Sequence, residues 1–530
     1  MTAVAVTVLA GVGVGVWATG GDSGPAGAAV GSSSRSAASE ASSRGPSPSP
    51  SPTRSYPLSE TPRTIPAVRA HTPARGPGWR PQRGARVVVD DAALADEGRL
   101  IAGELGLTYA GEKSDVEAGE LRLALGDDEG ADPESYTMTV RGGRVTVSGP
   151  SDAGVFYGTR TLKQTVHGGG TAPEGVVRDA PAKPVRGFML DIARKHFTAD
   201  WIEDRVRELG DLKFNELGLH FSDDQGFRIA STSHPEVVSA QHLTKAEVED
   251  IIGLAESRHI TIVPEIDSPA HLGAVIAAHK DLQLTSVRGV AARGAVDISE
   301  DAAATIVDEL LDEYAELFPG DRWNLGGDEY QALTVSDPAA SYPQLAAAAT
   351  EAYGSGGTVA DLATGWLNDR ADTVRAHGKT LRAWNDGFYA GTSVAPAEDL
   401  QVAYWTGKEI GARQPVSYLS AGRDVVNYND EYLYYVLGEP NTFVYPTGER
   451  IYASWTPRVL RGTEPVSAKY DGQILGGSFA VWCDLSGSQT QDQVAAGIRM
   501  PLRAVVQKLW DAREPTRSWA QFKALAGELG

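Results

Sequence analysis

The spacing of apolar residues divides this chain into segments of different kinds. Residues 3–18 are almost wholly apolar, whereas residues 20–77 show no apolar period. Residues 79–178 mix alternating and helical patterns. From residue 184, a short apolar run is followed repeatedly by apolar residues at helical spacing. The last pattern is typical of successive βα units, which build a parallel sheet.

The segment at residues 79–180 predicts a small α+β domain. Its strand candidates are residues 86–90, 120–125, 136–140 and 144–147, and its helix candidates are residues 91–105 and 154–166. The last two strands flank a Gly-Gly pair and predict a hairpin. No candidate chemistry concentrates in this segment, so we interpret it as a structural, non-catalytic domain.

Residues 181–530 predict a (β/α)8 barrel, and a doubly wound open sheet is the alternative. The strand candidates are residues 185–190, 216–221, 260–266, 323–325, 380–384, 400–405, 424–428 and 474–482. Capping signals at Thr244 and Thr358 mark the starts of intervening helices. The last helix, at residues 494–510, is predicted to break or kink at Pro501.

The first 78 residues predict export of a tethered domain. The apolar length of residues 3–18 suits a signal peptide, although the expected basic region is missing. Residues 1–20 are therefore predicted to be a signal peptide or a membrane anchor. Residues 21–78 are rich in Ser and Pro and predict a disordered linker. We expect the protein to be secreted or anchored to the cell envelope.

Composition excludes several classes of partner and site. The 530 residues carry a formal net charge of -21, which argues against nucleic acid or an anionic membrane surface as partner. The single cysteine, Cys483, excludes an intramolecular disulfide and a thiolate metal cluster. Nothing in the sequence indicates the oligomeric state.

Polar and aromatic side chains follow the predicted barrel strands, at the end where barrel enzymes place their chemistry. The main candidates are Asp191, Arg194, His220, Asp223, Asp267, His271, Asp328, Glu329, Trp384, Trp405, Tyr432, Trp482 and Asp484. Carboxylates beside tryptophans suit a sugar site, because sugar rings stack on aromatic faces and their hydroxyls bind charged groups. Asp328 and Glu329 are adjacent, and their repulsion is expected to raise the pKa of one of them.

Other chemistries lack their signatures in this sequence. There is no Gly-rich phosphate loop, no His-Glu-x-x-His motif and no Gly-x-Ser-x-Gly motif. A metal site at His220, Asp223, Asp224, Asp267 and His271 is conceivable, but these residues follow different strands without a ligand-spacing pattern. We expect neither a metal nor an organic cofactor.

Four motifs resemble glycoside hydrolase family 20, the β-N-acetylhexosaminidases and their relatives. They are RGFMLD-x-x-R at residues 186–194, LHFSDDQGFRI at residues 219–229, PEIDSPAH at residues 264–271 and GGDE at residues 326–329. Their order and spacing match the family, and the resemblance covers about residues 80–530. It implies a (β/α)8 barrel and a retaining exo-acting enzyme that hydrolyses terminal β-linked N-acetylhexosamine from glycans.

The resemblance also implies a substrate-assisted mechanism, in which the 2-acetamido group of the sugar is the nucleophile. Glu329 would be the general acid and base, and Asp328 would hold the acetamido N–H and stabilise an oxazolinium intermediate. Asp267 and His271 would support that pair.

The same resemblance implies roles in sugar binding for the remaining candidates. Arg194, Asp223 and Asp484 would bind ring hydroxyls, and Tyr432 would hydrogen-bond the acetamido carbonyl. The walls of the pocket would be formed by Trp384, Trp405 and Trp482.

Two positions depart from the common family pattern. Tyr434 stands where Asp is frequent, and Asp484 stands where Glu is frequent. Both departures resemble the branch that contains lacto-N-biosidases, which release a disaccharide. That activity is one alternative. A non-catalytic glycan-binding surface protein and a barrel hydrolase with a protein-borne nucleophile are the others.

Overall fold

A computed structural model describes residues 55–113, 117–126, 131–408 and 412–530. The predicted signal peptide or anchor at residues 1–20, and the linker as far as residue 54, lie outside the described residues. Within the described ranges, no helix combines the length and the apolar composition that a membrane span needs.

The small domain is a seven-stranded sheet with two helices packed on it, as far as the described residues go. Its strands are β1 (Ala70–Pro73), β2 (Arg86–Val89), β3 (Thr108–Glu112), β4 (Leu121–Leu125), β5 (Tyr136–Arg141), β6 (Arg144–Gly149) and β7 (Gly175–Asp179). Its helices are α1 (Ala95–Leu105) and α2 (Asp152–Gly169). The strand order is β1-β7-β5-β6-β4-β2-β3, and β5 and β6 form the predicted hairpin.

The linker prediction is corrected between residues 55 and 78. Strand β1 pairs antiparallel with β7, so this segment forms the edge of the sheet. Ile65 is buried in the barrel core, and the Ala67 N–H donates to Gln507 Oε1 at 2.8 Å. The segment is ordered by contacts with residues distant in sequence, which its Pro- and Thr-rich composition does not reveal.

The predicted (β/α)8 barrel is confirmed. In the described part of the chain, eight parallel strands close on themselves through pairing of the last strand with the first. They are β8 (Val185–Asp191), β9 (Glu216–Asp223), β11 (Thr261–Ile266), β14 (Arg322–Asn324), β15 (Thr380–Trp384), β16 (Gln401–Tyr404), β17 (Val425–Asn427) and β19 (Ile474–Trp482). An open doubly wound sheet is excluded, because it has no such closing pair.

Short strands elsewhere in the barrel extend its connections. They are β10 (Gly226–Phe227), β12 (Gln283–Thr285), β13 (Ala291–Val296) and β18 (Tyr434–Val436). Strand β18 pairs with the carboxyl end of β19, directly beyond the part of β19 that pairs with β17. The seventh barrel position is therefore built from two strands in succession, and β18 carries it to the open end.

Helices surround the barrel, and most of them bury an apolar side. They are α3 (Ala199–Asp211), α4 (Lys245–Glu256), α5 (Gly273–Ala278), α6 (Asp301–Leu317), α7 (Pro338–Ser341), α8 (Pro343–Tyr353), α9 (Val359–Arg375), α10 (Pro415–Ser420), α11 (Gly448–Ser454), α12 (Gln491–Trp510) and α13 (Trp519–Leu529). The capping signals at Thr244 and Thr358 form complete capping boxes. The predicted break at Pro501 is wrong, since α12 continues through it.

Buried ion pairs join strands inside the barrel. Arg382 of β15 forms two parallel hydrogen bonds, of 2.9 and 3.0 Å, with the Glu216 carboxylate of β9. Arg322 of β14 contacts the same carboxylate. Burial opposes the charge of Glu216, but the two arginines outweigh burial and lower its pKa to about 2. This charge cluster therefore remains ionised at neutral pH and ties three strands together.

The small domain packs on the barrel through buried polar contacts. Arg186 of β8 forms a bidentate pair with Glu134, at 2.7 and 2.8 Å. Trp510 at the end of α12 enters the apolar core of the small domain and donates its Nε1–H to Asp179 at 3.0 Å. These contacts support the structural role predicted for this domain.

Candidate active site

The Gly-Gly-Asp-Glu loop begins where β14 ends. Gly326 and Gly327 both adopt positive φ, at 69° and 96°, so the chain turns sharply into the barrel mouth. A Cβ on Gly326 would lie 2.6 Å from the Asp267 Cα, and therefore only glycine fits there. The Gly327 N–H donates to Asp267 Oδ1 at 2.7 Å, which fixes the loop against the end of β11.

Asp328 and Glu329 point into the same cavity but differ in exposure. The Asp328 side chain is 13% exposed and that of Glu329 is 45% exposed. Glu329 has φ of 51°, and His271 opposite it has φ of 57°. Left-handed backbone at non-glycine residues costs about 1–3 kcal/mol and concentrates at functional sites. Two such residues face each other here.

His271 is the centre of the carboxylate cluster. Its Nε2 lies 3.5 Å from Glu329 Oε2, 3.8 Å from Asp328 Oδ2 and 4.0 Å from Asp267 Oδ2. Its Nδ1 lies 3.4 Å from Asp223 Oδ2. Burial opposes a charge on His271, but Asp223, Glu329 and Asp267 together outweigh burial and hold its pKa well above the ordinary value. His271 is therefore an imidazolium among four carboxyl groups.

The raised pKa within the adjacent pair belongs to Asp328, not to Glu329. Burial, together with the neighbouring Asp267, raises the pKa of Asp328 well above its usual range. Burial also raises the pKa of Asp267 to about 7. The polar contact from His271 lowers the pKa of the more exposed Glu329. Asp328 is therefore the member of the adjacent pair that holds a proton more readily, whereas Glu329 is ionised at neutral pH.

A second charge network leads from the barrel interior to the cavity wall. Arg194 contacts Asp191 Oδ2 at 3.1 Å and Asp223 Oδ2 at 2.7 Å. His220 bridges Asp223 at 2.8 Å and Glu265 at 2.7 Å. Burial opposes a charge on His220, but Glu265 and Asp223 outweigh burial and raise its pKa to about 9. The Arg194 guanidinium is thus held rigidly at the mouth.

An aromatic-walled cavity of about 300 Å³ opens beside Asp328. Trp405 and Tyr434 stack with their ring centroids 5.7 Å apart and their planes 5° from parallel. Trp482 lies 5.9 Å from Tyr434 and completes the wall. Trp384 does not line this cavity, since it lies below the wall and donates its Nε1–H to Glu265 at 3.1 Å.

Tyr434, rather than the predicted Tyr432, is the tyrosine that forms part of this wall. Tyr432 lies in the turn between β17 and β18, and its ring packs in the core beneath the Arg450 guanidinium at 4.3 Å. Tyr434 begins β18 opposite Ala480 of β19, which places its ring in the cavity. Side chains alternate between the two faces of a strand, but this alternation does not extend into a turn. The spacing of Tyr432 and Tyr434 in the sequence therefore could not show which of them faces the cavity.

A second cavity of about 360 Å³ adjoins the first. Both are lined by Arg194, His271, Glu329 and Asp484. The second cavity also reaches residues 223–225, at the carboxyl end of β9. The described mouth of the barrel therefore offers space on two sides of Glu329.

Two family models match this chain. The model "Glycosyl hydrolase family 20, catalytic domain" matches residues 184–511, and "Glycosyl hydrolase family 20, domain 2" matches residues 61–180. The chain belongs to glycosyl hydrolase family 20. The second match includes the β1 segment, in agreement with its place in the folded sheet.

Curated relatives of this family 20 chain include enzymes of two activities. A lacto-N-biosidase of Bifidobacterium bifidum is 29% identical over 482 residues, which is 88% of this chain and 42% of the relative. A β-N-acetylhexosaminidase of Cellulomonas fimi is 33% identical over 230 residues, 39% of this chain and 46% of the relative. The chain thus spans less than half the length of these two relatives.

Solved family 20 structures share the fold. The β-N-acetylhexosaminidase of Streptomyces coelicolor A3(2) superposes with a TM-score of 0.70 at 24% identity, covering 89% of this chain and 96% of that one. The exo-β-N-acetylglucosaminidase of Vibrio harveyi gives a TM-score of 0.73 at 20% identity, with coverages of 92% and 79%.

Asp386 is a site residue to which the sequence predictions gave no role. Its Oδ1 accepts the Trp405 Nε1–H at 2.8 Å, and its Oδ2 accepts the Glu329 backbone N–H at 3.2 Å. One carboxyl group therefore joins the aromatic wall to the loop that carries Asp328 and Glu329. Its position directly after β15 was the available signal, because barrel chemistry lies at strand ends.

We expect Asp386→Asn to impair catalysis without unfolding the protein. An amide cannot accept from both donors through oxygen, so either Trp405 Nε1–H or the Glu329 N–H loses its acceptor. Loss of one such partly exposed hydrogen bond costs about 0.5–1.5 kcal/mol, which corresponds to a loss in kcat/KM of roughly 2- to 10-fold. Steady-state kinetics and a thermal melt check this. Asp399→Asn, in an exposed ion pair with Arg375, is the control and should change neither value appreciably.

Proposed function

We propose that this chain is a retaining exo-β-N-acetylhexosaminidase that uses the acetamido group of its substrate as nucleophile. The observation that carries the proposal is the environment of Asp328. It lines the aromatic cavity, and its Oδ1 is buried without a hydrogen-bond partner among the described residues. Buried polar atoms rarely lack a partner. An acetamido N–H in this cavity would supply the missing donor.

The proposed first step forms one bond and breaks another at the anomeric carbon. The acetamido carbonyl oxygen attacks that carbon, and the glycosidic oxygen leaves with a proton from Glu329. Asp328 accepts the N–H hydrogen bond and faces the positive charge of the oxazolinium ring. Glu329 then takes a proton from water, which attacks the same carbon and restores the acetamido group. Two displacements retain the configuration.

Substrate binding would bring the two carboxyl groups into the required charge states. Glu329 is half exposed and ionised in the free site. A sugar that excludes water from Glu329 raises its pKa and favours the acid form. The N–H donor and the developing positive charge lower the pKa of Asp328. Asp267, whose pKa burial raises to about 7, can then hold the proton that Asp328 gives up.

Tyr434 is proposed to hold the acetamido carbonyl, in place of Tyr432. We expect Tyr434→Phe to lower kcat/KM by about 10- to 100-fold, because a hydrogen bond that aligns the nucleophile is lost. Tyr432→Phe is the matched control. Its ring lies in the core beneath Arg450, so activity should remain within about twofold. Equal losses in both variants would contradict the assignment.

Release of a disaccharide is the second candidate activity. Asp484 and Tyr434 depart from the common family pattern, and the adjoining cavity continues past Arg194 and Asp484. The similarity to a lacto-N-biosidase over 88% of this chain supports the same reading. We propose to compare aryl β-N-acetylglucosaminide with aryl lacto-N-bioside. Cleavage of the disaccharide alone would favour the second activity, and cleavage of the monosaccharide would favour the first.

Export is also proposed, on the sequence alone. Residues 3–18 are apolar, and a Ser- and Pro-rich segment follows them. Fractionation of an expressing cell, with amino-terminal sequencing of the product, tests this. Protein confined to the cytosol would contradict it.

A further inference from the structure

Three segments of the barrel converge on a cluster of histidine and glutamate that is separate from the active site. His234 precedes a 3₁₀ turn at Pro235–Val237, His279 follows α5, and Glu309 lies on α6. His234 Nδ1 and His279 Nε2 each lie 2.9 Å from Glu236 Oε1. One ligand atom from each of His234, Glu236 and His279 lies within 4.8 Å of the others.

The hydrogen bonds around His234 leave a lone pair directed at a carboxylate. Its Nε2 lies 2.8 Å from Glu309 Oε2, and in the neutral tautomer with the proton on Nε2 the ring donates there. The other nitrogen, Nδ1, then presents a lone pair to Glu236 Oε1 at 2.9 Å. Two acceptors at that distance repel each other unless a cation lies between them. That cation is either a second proton on His234 or a metal ion.

We propose that His234, Glu236 and His279 form a binding site for a zinc-like divalent ion. Two imidazoles and one carboxylate are a recognised zinc ligand set, with bonds of about 2.0–2.2 Å. A tetrahedral ion with such bonds needs ligand atoms roughly 3.3 Å apart. Glu236 Oε1 lies 2.9 Å from His234 Nδ1 and 2.9 Å from His279 Nε2, and both distances are close to that value. The fourth position would take water.

The surroundings orient the ligands. Glu309 holds the far nitrogen of His234, the arrangement in which a carboxylate fixes a ligating histidine. Glu313, one turn further along α6, accepts hydrogen bonds from Ser231 Oγ at 2.7 Å and from the Thr232 N–H at 2.6 Å. The loop that carries His234 is therefore held on α6 both at His234 and at the two residues Ser231 and Thr232 that precede it.

The ion would join two connections of the barrel. One contains His234 and Glu236, and the other contains His279 and, through α5, leads back to His271 in the active site. An ion that binds only the folded state stabilises it by RT ln(1 + c/Kd), where c is the concentration of free ion, so the thermal midpoint rises with that concentration. We expect Zn²⁺ to raise the midpoint and to slow amide exchange in α5.

Titration of the full chain with ZnCl₂ after treatment with a chelator tests the proposal. We expect one ion per chain by calorimetry, and tetrahedral d–d absorption bands when Co²⁺ replaces Zn²⁺. His279→Ala should abolish both signals. Glu309→Gln should weaken Zn²⁺ affinity by about 10- to 100-fold, because only the orientation of His234 is lost.

Two controls separate this site from other histidines. His377 forms a single pair with Asp312 of α6, at 2.8 Å, and His377→Ala should leave the affinity unchanged. Asp328→Asn removes one member of the other group of three possible ligands, Asp267, His271 and Asp328. It should also leave the titration unchanged. Absence of Zn²⁺ binding at micromolar concentration, or binding that persists in His279→Ala, would overturn the proposal in favour of a protonated His234.

Discussion

Glu329→Gln is expected to lower kcat on an aryl β-N-acetylglucosaminide by about 10²- to 10⁴-fold, the usual contribution of a general acid. The amide cannot protonate the leaving oxygen. The loss should therefore shrink as the aryl leaving group becomes more acidic. A series of aryl glycosides with different phenol pKa values measures that dependence. If the lacto-N-bioside is the true substrate, the same series is made on the disaccharide.

Asp328→Asn should give a loss that does not depend on the leaving group. Removing the negative charge withdraws stabilisation of the oxazolinium ring, and electrostatic groups of this kind contribute roughly 10²- to 10³-fold. Glu398→Gln changes an exposed carboxylate away from the cavity and serves as control. Undiminished turnover in both active-site variants would exclude the proposed mechanism, as would a covalent ester between enzyme and glycan.

The second large effect concerns stability. Glu216→Gln leaves the buried Arg382 guanidinium without its carboxylate, and breaking a buried pair from one side costs about 3–5 kcal/mol. Denaturant unfolding, followed by fluorescence, measures the loss. Glu203→Gln removes one of the two acidic partners of Arg207 at the surface, at 2.7 Å, and should cost less than about 1 kcal/mol.

The buried pair of Glu216 and Arg382 also predicts that stability depends on pH. The pKa of Glu216 is lowered from its ordinary value of 4.5 to about 2 in the folded protein. Its contribution is therefore fully present above about pH 4.5 and is lost as the pH falls toward 2. Glu216→Gln should remove this part of the acid sensitivity. A variant with the same acid profile as the parent protein would contradict the assignment.

Local sequence was enough to predict most elements of the barrel. Thr244 and Thr358 begin helices as their capping signals indicate, because a cap depends on residues within one turn. The break at Pro501 was wrongly predicted, because α12 is buried from Pro501 to Trp510 and this packing offsets the hydrogen bond that proline removes. Strand β1 was missed, because its order comes from β7, about a hundred residues later.

The sequence predicted the types of residue in the site but only part of their arrangement. Strand-end position indicated Asp328, Glu329, Arg194 and His271, and the structure brings all four to one mouth. Asp386 was given no role, because its role depends on two hydrogen bonds to residues that follow other strands.

The sequence by itself determined the order of strands and helices, the family motifs and the chemical types gathered at the barrel mouth. These follow from side-chain periodicity and from neighbours along the chain. Only the tertiary structure decided that Tyr434 rather than Tyr432 lines the cavity, and that Asp328 rather than Glu329 has the raised pKa. Both depend on burial and on charges that distant segments supply, and these are properties of position in space.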